Sequence, residues 1–571
     1  MNYKLETISL PKGTGWDAVL KESYRKEFEA ALPAFLKNCR WFGGKARKIT
    51  EVRVISKEFL PWEENKTCLL TLAISYEDDA DERYLLPLSF RFTDALPTSE
   101  DIMIATRLRI GSREGLVYDA SGDPGFMENC LRLVAGNDES RETQGNIRGM
   151  PGEALRDRME AVDPVPEPRL LRKEQSNTSF IYGDRYILKL YRRRIDGINP
   201  EVEVIRFLTE EAGFPHIAPF TGLIEERTPG SPPVTLALLQ SYVEHTSDAW
   251  THFLETAREC FVEGIPEFSD TLRNTAKVGA DSNQVNTRSA GLQPCQAPAE
   301  AGLKSCTTSM ASPVRSEWIE KKSLEEVKLL GKRSAQLHQA LASKPGIPAF
   351  APKPYSLSDR EEQLRSSLSL LEDTLRNLKN TQKNLPPEIR DEARRLRERK
   401  TDLIDGLRQI ENLSDPGMKI RIHGDYHLGQ ILCTEDDFVI IDFEGEPARS
   451  SEERRQKRSP LIDVAGMIRS FHYAAYGAIF LEGDHSPEKA GTLSSLAEEW
   501  YHTMSATFLK SYLETISREK ADLLPAGPAE LNRLLEVFLL EKAIYELNYE
   551  LNNRPEWVII PLRGISALLQ S

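Results

Sequence analysis

The chain has 571 residues and a formal net charge of −14, from 74 Lys and Arg against 88 Asp and Glu. Unspecific binding to nucleic-acid backbones needs clustered positive charge, so this acidic balance argues against a general nucleic-acid binder. With 40% hydrophobic and 28% charged residues, the composition is that of an ordinary folded protein, long enough for several domains and a sizeable core.

The richest apolar run, Leu461 to Leu481, is interrupted by Asp463, Arg469 and His472, so no stretch reaches the roughly 18 apolar residues of a membrane span. The start MNYKLETISL has no basic segment followed by an apolar one, which argues against a secretory leader and for the cytoplasm. The seven cysteines are odd in number and dispersed, with no CxxC pair. They read as reduced thiols rather than a disulfide frame or a zinc cluster.

From the amino terminus to about Arg158, a helical start precedes alternating runs such as VRVIS (Val52–Ser56) and CLLTLAISY (Cys68–Tyr76), predicting a small α+β domain. The Pro-rich, charged stretch Asp163–Arg169 reads as a boundary. Beyond it, RLLRKEQSNTSFIYGDRYILKLYRR sets apolar runs around a Ser/Asn/Thr loop and a Gly183-Asp184 turn, predicting an antiparallel sheet. Asn199-Pro200-Glu201 then opens a helix that runs to Gly213, and LALLQSYVEH predicts another buried strand.

Residues 269–317 contain no aromatic side chain and are rich in small polar residues, which predicts a mobile surface insertion. In 358–413, leucines at alternating steps of four and three on either side of Pro386-Pro387 predict an antiparallel helical hairpin, read as a structural spacer or docking arm. After Leu461 the pattern is helical almost to the end.

The chemistry concentrates in IRIHGDYHLGQILCTEDDFVIIDFEGEP. Two short apolar strands flank an acidic turn, with Asp425 just before the first and Asp442 at the end of the second. Phosphoryl transfer needs one carboxylate to accept the proton of the attacking hydroxyl and another to hold Mg²⁺ on the ATP phosphates. A hairpin of this length can bring both to one place. Alone, His-Gly-Asp is often only a turn with an Asx-type hydrogen bond. Here it follows a small-residue loop, a strand lysine and an acidic helix in one order, and that order carries the reading.

H-G-D-x-x-x-x-Q followed by I-D-F resembles the catalytic and metal-binding loops of kinase-like phosphotransferases of the aminoglycoside and choline kinase type. The resemblance implies Asp425 as catalytic base, with Gln430 and Asp442 as Mg²⁺ ligands. Gln430 stands where those relatives carry Asn, and either amide offers a carbonyl oxygen to a hard cation. Glu444 is expected to stand behind the ligands. Upstream, Ser176, Asn177, Thr178 and Ser179 replace a Gly-rich phosphate loop. Lys189 is expected on the α- and β-phosphates, paired with Glu201 or Glu203, of which Glu203 is preferred. Gln240–Glu244 is the expected adenine hinge, and Asp463 the buried brace of the catalytic loop. The cluster Arg454, Arg455, Lys457, Arg458 reads either as solvated surface or as facing polyphosphate.

RWFGGKARKI (Arg40–Ile49), EQSNTSFIYG with NPEVEV, the run from HGDYHLGQ to PLIDVAGM, and LLEKAIYELNYELNNRPEWVIIPLRGI are more specific, and resemble bacterial maltokinase. That resemblance implies an α+β, two-lobed protein-kinase-like fold: a cap domain (1–160), a β-rich nucleotide-binding lobe (161–245) and a helical catalytic lobe (246–571). It implies ATP-dependent phosphorylation of maltose at its anomeric hydroxyl, feeding trehalose and α-glucan metabolism. A trehalose synthase, sometimes fused to the kinase, and a downstream maltosyltransferase are candidate partners; nucleic acid and membrane are not. Arg421, Tyr426 and His427 are the expected acceptor contacts. Two alternatives stand beside this reading: a kinase of an amino sugar or amino alcohol, and a catalytically silent kinase-like scaffold.

Overall fold

A computed structural model describes residues 5–60, 67–78, 81–93, 102–136, 146–156, 165–171, 176–263, 319–447, 449–480, 487–518 and 522–570. The expected insertion at 269–317 lies outside the described residues. The chain divides into two compact units, Met1–Glu210 with Ala218–Glu244, and Glu211–Ile217 with His245–Ser571.

The first unit holds two six-stranded sheets. In the amino-terminal one, β1 (Thr7–Leu10), β2 (Ile49–Phe59), β3 (Cys68–Tyr76), β4 (Asp81–Phe92), β5 (Ile104–Ile110) and β6 (Arg113–Asp119) lie in the order β1-β5-β6-β4-β3-β2. All neighbours are antiparallel except β1 and β5. The helix Glu22–Asn38 presents Phe28, Leu32, Phe35 and Leu36 on one face, the spacing of a helical apolar stripe, and packs them on Val52, Leu72 and Leu86 of the sheet. The RWFGGK motif joins this core: Trp41 and Phe42 are buried against Tyr84, with ring centroids 6.0 and 5.2 Å away.

The second sheet comprises β7 (Ile147–Pro151), β8 (Pro168–Leu171), β9 (Thr178–Tyr182), β10 (Tyr186–Leu190), β11 (Phe220–Glu226) and β12 (Val234–Ser241), ordered β7-β11-β12-β10-β9-β8 and antiparallel throughout. Its edge strand β7 precedes residue 160, so this sheet begins within the segment expected to be all cap. The helix Pro124–Ala135, capped by the Asp123 carboxylate on Gly125 N, sets Phe126, Met127, Leu131 and Val134 against Phe180, Leu188 and Leu239.

The second unit is mainly helical. A three-stranded ribbon sets Ser247–Asp248 against Ile431–Cys433 against Phe438–Ile440, directly after His423–Asp425 in the chain. The predicted hairpin forms with one difference. Its first arm is Leu357–Thr381, but the second breaks at Arg399 into Pro387–Glu398 and Lys400–Arg408. Arg399 leaves helical geometry there, bonding Asp402 Oδ2 (2.7 Å) and the Leu569 carbonyl (3.0 Å). The hairpin packs on the helix Pro528–Asn553, where Gln363 Nε2 and Ser367 Oγ donate to Glu541 Oε2 at 2.6 and 2.9 Å. Among the described residues no helix is long and apolar enough to cross a membrane.

Candidate active site

The segment His423–Asp425 is held from behind. Asp463, 1% exposed at the start of the helix Leu461–Phe480, accepts from the backbone N–H of His423 (2.8 Å) and Gly424 (2.9 Å) and from His338 Nε2 (3.1 Å). Burial alone would raise its pKa, but His338, the His423 side chain and the Gly424 amide outweigh that and hold the carboxyl below its ordinary value. This is the bracing role expected of it. His423 Nε2 donates to the Ile441 carbonyl (2.9 Å), tying the loop to the strand end before Asp442. Gly466 lets the helix close on the loop: a Cβ there would stand 2.5 Å from the Tyr426 carbonyl oxygen.

Gln430 and Asp442 meet across the ribbon. Ile441 N donates to the Gln430 carbonyl (3.0 Å), and Gln430 Nε2 donates to Asp442 Oδ2 (3.0 Å). The amide nitrogen being spent on the carboxylate, Gln430 Oε1 and the Asp442 oxygens form an all-oxygen donor set, which fits Mg²⁺. Asp442 is also the one non-glycine with positive φ (63°) among the described residues. That conformation costs about 1–3 kcal/mol and persists where surroundings enforce it, as at functional sites.

Asp425 opens into a cavity of about 630 Å³ within the second unit, in the range of roughly 300–1,000 Å³ that holds small molecules. Three kinds of group line it: the aromatic rings of Trp250, Tyr473, Tyr545 and Tyr549, the carboxylates of Asp248, Glu546 and Glu550, and the cations Lys542 and Arg554. The charges are mostly paired. Arg469 holds Glu546 at 2.7 Å, Arg554 holds Glu550 at 2.6 Å, and Lys542 Nζ lies 3.8 Å from Asp425 Oδ1 and 3.6 Å from Glu446 Oε1. Burial would lower the Lys542 pKa, but Glu446, Asp425 and Glu546 together raise it above the ordinary lysine value, so the side chain stays an ammonium.

Of the three expected acceptor contacts, His427 alone lines this cavity. Its Nδ1 accepts from Gly429 N (3.1 Å), which leaves Nε2 facing Asp425 Oδ2 at 3.9 Å. Burial is the main cause that lowers the His427 pKa, against the opposing pull of Asp425. Tyr426 is corrected: it is 2% exposed and its hydroxyl bonds Ser334 Oγ (2.7 Å) on the helix Lys321–Ala342, away from the cavity lining. Arg421 is likewise 2% exposed, with its guanidinium 5.5 Å from the Phe350 ring centroid.

In the first unit, Lys189 lies on β10 and its Nζ is 3.0 Å from Glu201 Oε2, a side chain also bonded by Tyr191 Oη (2.7 Å). The preference for Glu203 is therefore corrected. Asn199 caps the helix Pro200–Arg206 through Glu201 N, which puts Glu201 in the buried first turn. The Ser176–Ser179 stretch divides in two. Ser176 and Asn177 form the turn, whereas Thr178 and Ser179 are buried strand residues, and Thr178 Oγ1 accepts from Arg192 Nε at 2.8 Å. Thr178 and Ser179 thus belong to the sheet rather than to a phosphate loop. Gln240 Nε2 donates to the Ala218 carbonyl (2.8 Å), fixing the strand end at which the expected hinge begins.

The basic cluster after Asp442 turns mostly onto the protein itself. Arg454 Nη2 donates to the Pro447 carbonyl (2.9 Å), Lys457 to the Pro348 carbonyl (2.6 Å) and Arg458 to Gln363 Oε1 (3.2 Å). The cavity residues from Pro528–Asn553 escaped sequence reasoning, although Lys542, Tyr545, Glu546, Tyr549 and Glu550 recur at helical steps of three and four on one face.

A sheet-rich lobe with an amino-terminal cap and a helical lobe define a two-lobed, kinase-like protein. Residues 35–123 match the maltokinase N-terminal cap domain family. A glucosamine kinase of Streptacidiphilus jiangxiensis is 25% identical over 242 residues, 42% of this chain and 48% of that protein. One of Mycolicibacterium smegmatis is 30% identical over 151 residues, 26% of this chain and 34% of that protein. The chain thus matches about half or less of the length of these curated relatives. The fold extends further. Glucosamine kinase bound to glucosamine, ADP and inorganic phosphate superposes with a TM-score of 0.58 at 18% identity, over 97% of this chain and 99% of that one. Another crystal form of glucosamine kinase gives 0.60 at 18% identity, over 98% and 100%.

Proposed function

We propose that this protein is an ATP-dependent sugar kinase that phosphorylates maltose at its anomeric hydroxyl. The observation that carries the proposal is the aromatic-walled cavity onto which Asp425 opens. Rings such as Trp250 and Tyr545 suit the apolar faces of a sugar, while paired carboxylates and cations suit its hydroxyls. The match of residues 35–123 to the maltokinase cap favours a disaccharide acceptor.

In this reading Asp425 orients the attacking hydroxyl and accepts its proton. Lys189, kept in place by Glu201, meets the phosphates with the Ser176-Asn177 turn. Gln430 and Asp442 hold Mg²⁺, which when bound offsets charge on the phosphate oxygens. The maltose would come from isomerised trehalose, and its 1-phosphate would be consumed by a maltosyl transfer.

A second reading, an amino-sugar kinase acting on glucosamine, is favoured by the relatives of that name and by Asp248, Glu546 and Glu550 in the cavity. Turnover with ATP across maltose, glucose, trehalose, glucosamine and kanamycin, with the phosphorylated position read by NMR, separates the two. Maltose 1-phosphate as the preferred product supports the first; a preference for glucosamine overturns it.

A further inference from the structure

Arg192 lies just beyond the end of the strand that carries Lys189, and it is 0% exposed. Its guanidinium gathers groups from three places. Nε donates to Thr178 Oγ1 (2.8 Å), at the start of β9. Nη2 donates to Asp119 Oδ2 (2.9 Å) and Ser121 Oγ (2.6 Å), at the end of the cap sheet. The third is the ring of Trp41, from the RWFGGK motif, whose centroid is 4.4 Å from the guanidinium carbon and whose Nε1 donates to the same Asp119 oxygen (3.3 Å). A fully buried guanidinium needs such a carboxylate and a fork of acceptors to be tolerated.

The backbone repeats the connection. Leu85 N donates to the Arg192 carbonyl (2.7 Å), Arg194 N donates to the Arg83 carbonyl (2.8 Å), and Tyr84 bridges Arg193 in antiparallel sense. The chain after β10 therefore pairs with β4 of the cap. Within the second sheet, Lys189 is opposite Ser179 and Leu190 opposite Thr178, the last pair of the β9–β10 hairpin. The turn at Gly183 closes the other end. At this open end the strands would fray, and the Ser176-Asn177 turn would drift relative to Lys189. The Arg192–Thr178 bond spans that opening.

We propose that Arg192 is a positioning residue through which the cap domain sets the spacing between Lys189 and the Ser176-Asn177 turn, and so controls nucleotide affinity. The inference rests on the reading of Lys189 as a phosphate contact. Trp41 and Asp119 are then part of the nucleotide apparatus without touching nucleotide, and RWFGGK is more than cap packing.

The test is direct binding of ADP with Mg²⁺ by titration calorimetry, which needs no acceptor, on the full chain and on Lys189→Ala, Arg192→Lys, Asp119→Asn and Trp41→Phe, with a melting curve for each. Lys189→Ala is expected to weaken ADP at least tenfold. Arg192→Lys keeps the charge but loses the fork, and is expected to weaken ADP three- to tenfold. Asp119→Asn and Trp41→Phe act from the cap side and are expected to move ADP affinity in the same direction, with acceptor KM unchanged. ADP affinity unaltered in folded Arg192→Lys and Asp119→Asn, while Lys189→Ala has lost it, overturns this inference and leaves the reading of Lys189 standing. Unaltered affinity in Lys189→Ala overturns both. Where Arg192→Lys fails to fold, Trp41→Phe decides in its place: lowered melting temperature with unchanged affinity counts against the proposal.

Discussion

Lys542 carries its ammonium to 3.8 Å from Asp425 Oδ1, so the proposed base shares its cavity with a cation supplied by a helix far along the chain. Glu446, 3.6 Å from the same nitrogen, keeps that ammonium in place. Opposite charges at this range attract by about 1–4 kcal/mol across the dielectrics of a wet site, and like charges repel by as much. Lys542 thus offsets part of the negative field that Asp425 and Glu446 set at this end of the cavity.

Replacing the base tests the reaction itself. Asp425→Asn keeps the shape and removes the proton acceptor, so kcat should fall by about 10² to 10⁴ while the melting temperature holds. Turnover equal to the unaltered protein would dismiss Asp425 as base. Background activity unchanged by the substitution, in a protein that still binds nucleotide, would favour the silent scaffold.

Glu201 is 1% exposed and accepts from both Lys189 and Tyr191. Removing one partner of a buried ion pair leaves the other charge uncompensated, at a cost of about 3–5 kcal/mol. Glu201→Gln should lower stability by a large part of that and raise the KM for ATP. Chemical denaturation alongside Glu203→Gln checks the assignment, with the larger loss expected at Glu201.

Two tyrosines should behave oppositely. Tyr545 lines the cavity, and Tyr545→Ala should raise the acceptor KM about tenfold with the ATP KM unmoved. Tyr426 is buried with its hydroxyl on Ser334, so Tyr426→Phe should lose about 1 kcal/mol of stability and keep its acceptor KM. A raised acceptor KM in Tyr426→Phe would return that side chain to the substrate.

His472 supplies a pH test of stability. Burial first, then Arg469, His502 and Arg563, lowers its pKa well below the ordinary value. Below about pH 6.5 the unfolded chain takes up a proton that the folded one refuses, so stability falls as pH falls through that window and recovers above it. Urea unfolding at pH 7.5, 6.5 and 5.5 should show a steeper decline for the unaltered protein than for His472→Gln, by up to about 1.4 kcal/mol per pH unit. Parallel curves would mean that the ring takes up its proton alike in the folded and unfolded chain, so that burial does not hold it neutral.

Legibility followed the range of the interactions. Gln430 and Asp442 flank one short ribbon, so a local pattern of turn and strands was enough to pair them. The β9–β10 hairpin was readable from its Gly183 turn and alternating residues. Tyr426 and Arg421 went astray because closeness in sequence says nothing about which way a turn residue points. Between Glu201 and Glu203 the sequence offered no means to choose, because Tyr191 and the Asn199 cap, not helical spacing, bear on which acid faces Lys189. The cavity wall from Lys542 to Arg554 is a product of tertiary packing, and only its periodicity showed in the chain. Likewise nothing local announced that Trp41 and Arg192, far apart in sequence, would stack.

The hairpin helix Leu357–Thr381 grips the helix Pro528–Asn553 through Gln363, Ser367 and Glu541, on residues that do not line the cavity. Glu541 is the immediate neighbour of Lys542, so a change in that grip would rotate or shift the ammonium and rings that line the cavity. With the cavity as the proposed acceptor pocket, selection, natural or in the laboratory, would have a handle on sugar choice from the outside of the molecule, leaving every wall residue as it is.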